Sequence, residues 1–219
     1  MFKKLLSFGA VCVLASSLNA SADTIFSLDN STCSSGCSML PAGTVTLHQN
    51  GVNDVLVTVQ LTSDYSFRQS SDANHHSLLF DLSGVSGVSA SNISSGPTSQ
   101  TFSFLGLGSY KDAGLGTFNY GFDCTSCIGG TTSTPTQTLS FDLTAVGLTT
   151  ASFVSNGSNY FGVDVVGIDS AAGIGKTGNI GANDAGTTTN SPVPEPSSLV
   201  LLGSGLAGAA GMLRRKMSR

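Results

Sequence analysis

From residue 24 to residue 167, apolar side chains alternate with polar ones in short runs, and the three-to-four spacing of an amphipathic helix is almost absent. A two-residue period sends successive side chains to opposite faces, so each run predicts a strand with one face for a core. Residues 24–28 open the set. Residues 44–48 and 54–61 follow as a hairpin with its turn around Asn50-Gly51, a dipeptide suited to tight turns. Val55, Val57, Val59 and Leu61 point one way, against Leu56, Thr58 and Gln60. Residues 77–82 and 101–105 are two more strands, separated by a Ser/Gly run without periodicity. Residues 117–123 set Phe118, Tyr120 and Phe122 against Thr117, Asn119 and Gly121. Leu139, Phe141 and Leu143 mark the next strand, and residues 151–154 and 160–167 complete the series, with Phe161, Val163 and Val165 on one side. Roughly nine short strands at close turn intervals predict an all-β chain, a jelly-roll-like β-sandwich over residues 23–170. Residues 171–191, with Ile174 and Ile180 as their sizeable apolar side chains, predict a flexible Gly/Asn/Thr-rich linker.

Both ends of the chain break this pattern. Residues 1–22 read as a signal peptide: Lys3 and Lys4, an apolar core from residue 5 to 18, and Ala20-Ser21-Ala22 as the small-residue cleavage site. At the far end Pro192, Pro194 and Pro196 bar a helix and hold the backbone extended. Residues 199–213 are uncharged, and as a helix they would span about 22 Å at ~1.5 Å per residue, short of a bilayer core of about 30 Å. Ser197, Ser198 and snorkelling basic side chains make up the difference. Arg214, Arg215 and Lys216 then act as a basic stop, which the positive-inside rule places in the cytoplasm. A single C-terminal transmembrane helix is therefore expected, with the preceding domain outside.

The one glutamate of the chain, Glu195, sits between two of those prolines, while the other acidic residues are all Asp. Val193-Pro194-Glu195-Pro196, a Leu/Gly/Ala helix and an Arg/Lys cluster in that order resemble the PEP-CTERM sorting signal of Gram-negative bacteria, over about residues 192–219. The resemblance implies recognition by exosortase, a membrane-embedded cysteine transpeptidase that cuts near the Pro-Glu-Pro motif. The helix would then be a transient inner-membrane anchor, and the protein would end at the cell surface or in the extracellular matrix.

Charge narrows the partners. Over residues 23–196, Arg68, Lys111 and Lys176 stand against thirteen acidic residues, ten net negative charges, so nucleic acid is excluded as a partner. Four cysteines survive signal cleavage, and in an oxidising compartment their spacing favours disulfides Cys33–Cys37 and Cys124–Cys127 among three connectivities. A four-cysteine zinc site is the alternative.

Candidate chemistry is sparse, and no catalytic residue or metal ligand set stands out. Residues 170–177 resemble a phosphate-binding loop, but the Gly- and Asn-rich sequence beyond them cannot supply the helix N-terminus such a loop needs. His75 and His76 are adjacent, so they could share an ion only from a loop. Asp81, Asp123, Asp142 and Asp164 fall in or at the ends of strands, where outward-facing positions account for them. Structural calcium has hard oxygen ligands available, for example at residues 50–54, but no calcium-loop motif. The expected function is non-enzymatic: an exported surface or matrix protein, structural or adhesive, in contact with extracellular polysaccharide. A carbohydrate-binding module using Tyr110, Tyr120 and Tyr160 as stacking rings is the alternative, and a secreted hydrolase ranks third.

Overall fold

Each alternating run becomes a strand where its apolar side finds a facing layer, and the register between runs lines those sides up. The computed structural model describes residues 22–33, 37, 39–70, 75–128, 134–189 and 205. Its strands are β1 (Asp23–Ser27), β2 (Asn30–Ser31), β3 (Gly43–Gly51), β4 (Asp54–Leu61), β5 (Tyr65–Phe67), β6 (Leu78–Leu82), β7 (Ser86–Ser94) and β8 (Phe102–Phe104). They continue as β9 (Tyr110–Asp112), β10 (Gly116–Phe118), β11 (Tyr120–Cys124), β12 (Thr138–Val146), β13 (Phe153–Val154), β14 (Phe161–Gly167), β15 (Thr177–Ala182) and β16 (Thr187–Thr189). Two antiparallel sheets pack together as a sandwich.

The first sheet runs β16-β1-β3-β4-β12-β7. Val45 pairs with Val59 and Leu47 with Val57, while Val57 pairs with Phe141 and Val59 with Leu139, so the inward positions form continuous apolar rows. All of them are fully buried. The second sheet runs β2-β15-β14-β6-β11-β8, with β5 added on β14 and β13 on β6. Phe122 of this sheet meets Phe141 of the first at 4.2 Å between ring centroids, and Phe80 and Phe161 fill the space beside them. Burying each such ring stabilises the fold by about 1.5–3 kcal/mol.

Four expectations change. The aperiodic Ser/Gly run contains β7, an edge strand paired with β12 on one side and exposed along most of its length; only Val88 and Ala90 pack partly against the core, too few for a clear alternation. Residues 117–123 are not one strand: the chain breaks at Asn119, and β10 joins β9 in a separate hairpin while β11 enters the large sheet. The β3–β4 turn lies at Val52-Asn53, two residues beyond Asn50-Gly51, with Asn53 in the left-handed region (φ 65). Residues 171–191 are not a linker across their middle, because β15 lies beside β14 with Ile180 and Ala182 buried, and β16 pairs with β1. The small residues that read as flexibility are what lets β15 lie under other chain segments. Residues Ser21–Asn190 accordingly form one compact unit.

The cysteines form Cys33–Cys37 and Cys124–Cys127, with Cα separations of 5.7 and 5.6 Å. These pairings take up the thiolates that a four-cysteine zinc site would need. Among the described residues, no helix is long and apolar enough to cross a membrane. The expected transmembrane helix, apart from residue 205, lies outside the described residues, as do the signal peptide up to residue 21, Ala20, Val193, Pro194, Glu195, Pro196, Arg214, Arg215 and Lys216.

Candidate functional site

The outer face of the eight-stranded sheet is built to be covered. Across β11, β6, β14 and β15 the register aligns Gly121, Leu79, Gly162 and Gly181, so Leu79 is the one side chain in that outward row. The β9–β10 hairpin lies on it and adds Leu115 and Phe118 to Leu79, with Tyr110 packed alongside. A Cβ on Gly162 would lie 3.1 Å from Leu115 Cδ1 and 3.3 Å from Phe118 Cε2, and one on Gly181 would lie 3.0 Å from Leu115 Cδ2. Glycine inside a strand marks close approach by another segment, and here the hairpin is that segment.

One step along the same face the covered surface turns polar. Asp164 on β14 pairs with Asn179 on β15, and both are buried, at 0% and 3% exposure. Arg68 Nη1 donates to Asp164 Oδ2 at 3.4 Å, and the His75 ring nitrogen approaches the same oxygen at 3.1 Å. Asp112 comes down from β9 at 1% exposure, close enough that a Cβ on Gly162 would sit 3.0 Å from its Oδ2. Neither carboxylate oxygen of Asp112 has a hydrogen-bond partner, and the same holds for Asp164 Oδ1 and Asn179 Oδ1. Burial is the main cause that pushes the Asp112 carboxyl up to about 8, and the charge of Asp164 adds to it. The Ala113 amide and His76 oppose the shift, although that amide is not aligned as a full hydrogen bond. Burial likewise raises Asp164, to about 6, with Arg68 and His75 pulling it back. Beside this pair His76 contacts Asp123 at 2.8 Å and meets the Tyr110 ring edge-on, while Tyr110 donates its hydroxyl to Leu105 O.

The outer face of the six-stranded sheet is the opposite case. By strand alternation it presents Thr44, Thr46 and His48 from β3, Leu56, Thr58 and Gln60 from β4, and Thr138, Ser140, Asp142 and Thr144 from β12. Cross-strand contacts tie these groups together: Thr58 to Ser140 at 3.3 Å, Thr138 to Gln60 Oε1 at 2.8 Å, and Ser89 to Thr144 at 2.8 Å. Asn92 and Asn50 both donate to Asp142. None of these positions is Lys or Arg.

The residues singled out in the sequence separate accordingly. Asp142 faces outward as expected, but Asp164 is sealed beneath the hairpin, because β9–β10 covers what would otherwise be an exposed side of β14. His75 and His76 do not share one partner; each takes its own carboxylate. Tyr120 lies in the core, Tyr160 packs on Phe26 and Tyr110 on His76, so the three rings make no common stacking platform. Lys176 and Thr177 lead into β15, a strand, where a phosphate loop needs a helix. At residues 50–54 the Gln49 amide takes up the carbonyls of Gly51 and Asp54. Ala22 is half-buried just ahead of β1. Sequence reasoning passed over Asp112 and Asn179. The signal that points to Asp112 is the in-strand glycine Gly162, where a Cβ would meet Asp112, Leu115 and Phe118.

No curated protein and no solved structure matches the chain. One family model matches, over residues 192–216, the segment of Val193, Pro194, Glu195, Pro196 and the basic stop Arg214, Arg215 and Lys216. The chain therefore carries a PEP-CTERM protein-sorting motif, typical of exosortase substrates, and that motif implies export, processing by an exosortase and sorting to the cell surface.

Proposed function

We propose that the exported domain is a non-catalytic component of the cell surface or extracellular matrix, and that it engages neutral extracellular polysaccharide through the outer face of its six-stranded sheet. The observation behind this reading is the array of Thr, Ser, Gln and Asn side chains on that face, free of Lys and Arg. Hydroxyl and amide groups held at strand spacing present donors and acceptors to a sugar chain at little ordering cost, since neighbours already hold them in place. The two carboxyl groups best disposed for acid–base chemistry, Asp112 and Asp164, are shut away from any substrate, which supports a binding role over hydrolysis. Repeated crossings of the chain between the sheets favour a jelly-roll-like version of the sandwich. The membrane segment is a temporary anchor on this reading, removed when exosortase acts.

Retention of the secreted protein on polysaccharide isolated from its own host tests the proposal. Replacing Thr46 and Thr58 together by Glu should lower retention about tenfold, equivalent to ~1.4 kcal/mol, while Lys176→Gln should leave it unchanged. Equal retention of the double variant removes polysaccharide binding by this face. Sorting is tested separately: Glu195→Ala should yield a larger product that keeps its basic tail, and normal trimming would refute exosortase recognition through that carboxylate.

A further inference from the structure

Four oxygens with no hydrogen-bond partner gather under the β9–β10 hairpin: both carboxylate oxygens of Asp112, Oδ1 of Asp164 and Oδ1 of Asn179. Their placement follows from the strands. Asp164 and Asn179 are direct neighbours across β14 and β15. The Asn179 amide nitrogen donates to the carbonyl of Ala113, next in chain to Asp112, at 3.0 Å, and Thr32 Oγ1 donates to the same carbonyl at 3.1 Å. These two bonds hold the end of β9 over the Asp164–Asn179 pair and leave the Asn179 oxygen as the free end of its side chain. Buried acceptors without donors are costly, and a buried carboxylate without a counter-charge costs more.

The basic side chains are concentrated on Asp164: Arg68 and His75 both meet it, while the basic group that acts on Asp112 is His76, itself engaged by Asp123. A proton could satisfy part of this group of acceptors, but it supplies one donor. If Asp112 held it and donated to Asp164, the other Asp112 oxygen and the Asn179 oxygen would still lack partners. A single cation can take several such oxygens as ligands at once. The donor set of two carboxylates and a carboxamide contains no sulfur, and hard cations such as calcium select such oxygen ligands. Among the described residues no three His, Cys, Asp or Glu side chains form a metal site, and the third side-chain oxygen here is the carboxamide of Asn179.

We propose that Asp112, Asp164 and Asn179 bind one hard divalent cation of the calcium class beneath the β9–β10 hairpin. The ion would join the hairpin to β14 and β15, and so fasten the cover onto the sheet in a compartment where calcium is plentiful.

The test uses the full-length chain, stripped with a chelator and then titrated with calcium chloride, with magnesium chloride and sodium chloride as separate arms. Calorimetry should give one site per chain. At a hundredfold excess over Kd, calcium should raise Tm by about 5–10 °C and slow amide exchange across residues 110–118. Asp112→Asn and Asn179→Ala should lose the rise, and Asp184→Asn, on the exposed surface, should keep it. The proposal is overturned if the wild-type chain binds no calcium, or if Asp112→Asn responds in full. A wild-type chain without a calcium response, together with a higher Tm for Asp112→Asn in chelator, would mean that the site holds a proton, and that also overturns it. Should either variant fail to fold, the wild-type stoichiometry and the exchange protection of residues 110–118 decide alone.

Discussion

On the six-stranded sheet the outward positions hold Thr44, Thr46, Thr58, Gln60, Ser140 and Asp142 and face solvent, whereas on the eight-stranded sheet they hold Gly121, Leu79, Gly162, Gly181 and Asp164 and lie under a hairpin. Both faces come from the same period-two pattern. They differ in side-chain size: the first face carries branched and amide side chains, while Gly162 and Gly181 on the second open a bed that Leu115 fills, with Phe118 against Gly162. Polar groups therefore have different consequences on the two faces. Asp142 is solvated and accepts from Asn92 and Asn50, but Asp164 and Asp112 are desolvated and their ionised forms are disfavoured.

The strongest way to break this contrast is through pH. In chelator, the folded chain holds the Asp112 proton more tightly than the unfolded chain does, because its carboxyl is raised from 3.8 to about 8. The folded state therefore binds more protons, and stability is full below the ordinary carboxylate range, falls as pH rises towards about 8, and is level above that. Asp164, raised to about 6, adds the same sign over the lower part of that window. The loss should reach about 3–5 kcal/mol in urea melts run from pH 4 to pH 8.5. Asp112→Asn should flatten most of it, and an unchanged slope would show that the carboxyl is hydrated.

A steric probe comes next in size. Gly162→Val places branched carbon against Asp112, Leu115 and Phe118, and should cost about 2–3 kcal/mol, with amide exchange at residues 110–118 rising more than elsewhere. If those amides stayed protected, the hairpin would not depend on the glycine bed. Smallest of all, Thr58→Ala removes one cross-strand contact to Ser140 in the open array and should cost under about 1 kcal/mol. A larger loss would mean that this face supports the fold as well as a ligand.

Much of the architecture was legible because burial on one side of a strand leaves a record in the residue order. Val55, Val57 and Val59, and Leu139, Phe141 and Leu143, marked central strands whose inward rows the structure joins directly. β7 left little record, since on this edge strand only Val88 and Ala90 pack partly against the core. β15 was hidden for the opposite reason: Gly178 and Gly181 meet Cys33, Asn159 and Leu115 so closely that only glycine fits, and glycine-rich sequence resembles a linker.

The candidate site divides along the same line. The sorting motif is a contiguous string read by a partner, so Pro194, Glu195 and Pro196 are meaningful without any fold, and the cysteine pairs are close enough in the chain to find each other. Local order thus determined the export route, the strand periodicity and the disulfides. Tertiary structure decided that the β9–β10 hairpin covers one sheet and leaves the other open, and so brought Asp112 next to Asp164 and Asn179 from distant parts of the chain. A carboxylate's environment depends on what lies over it, and that is a property of packing that no spacing along the chain encodes.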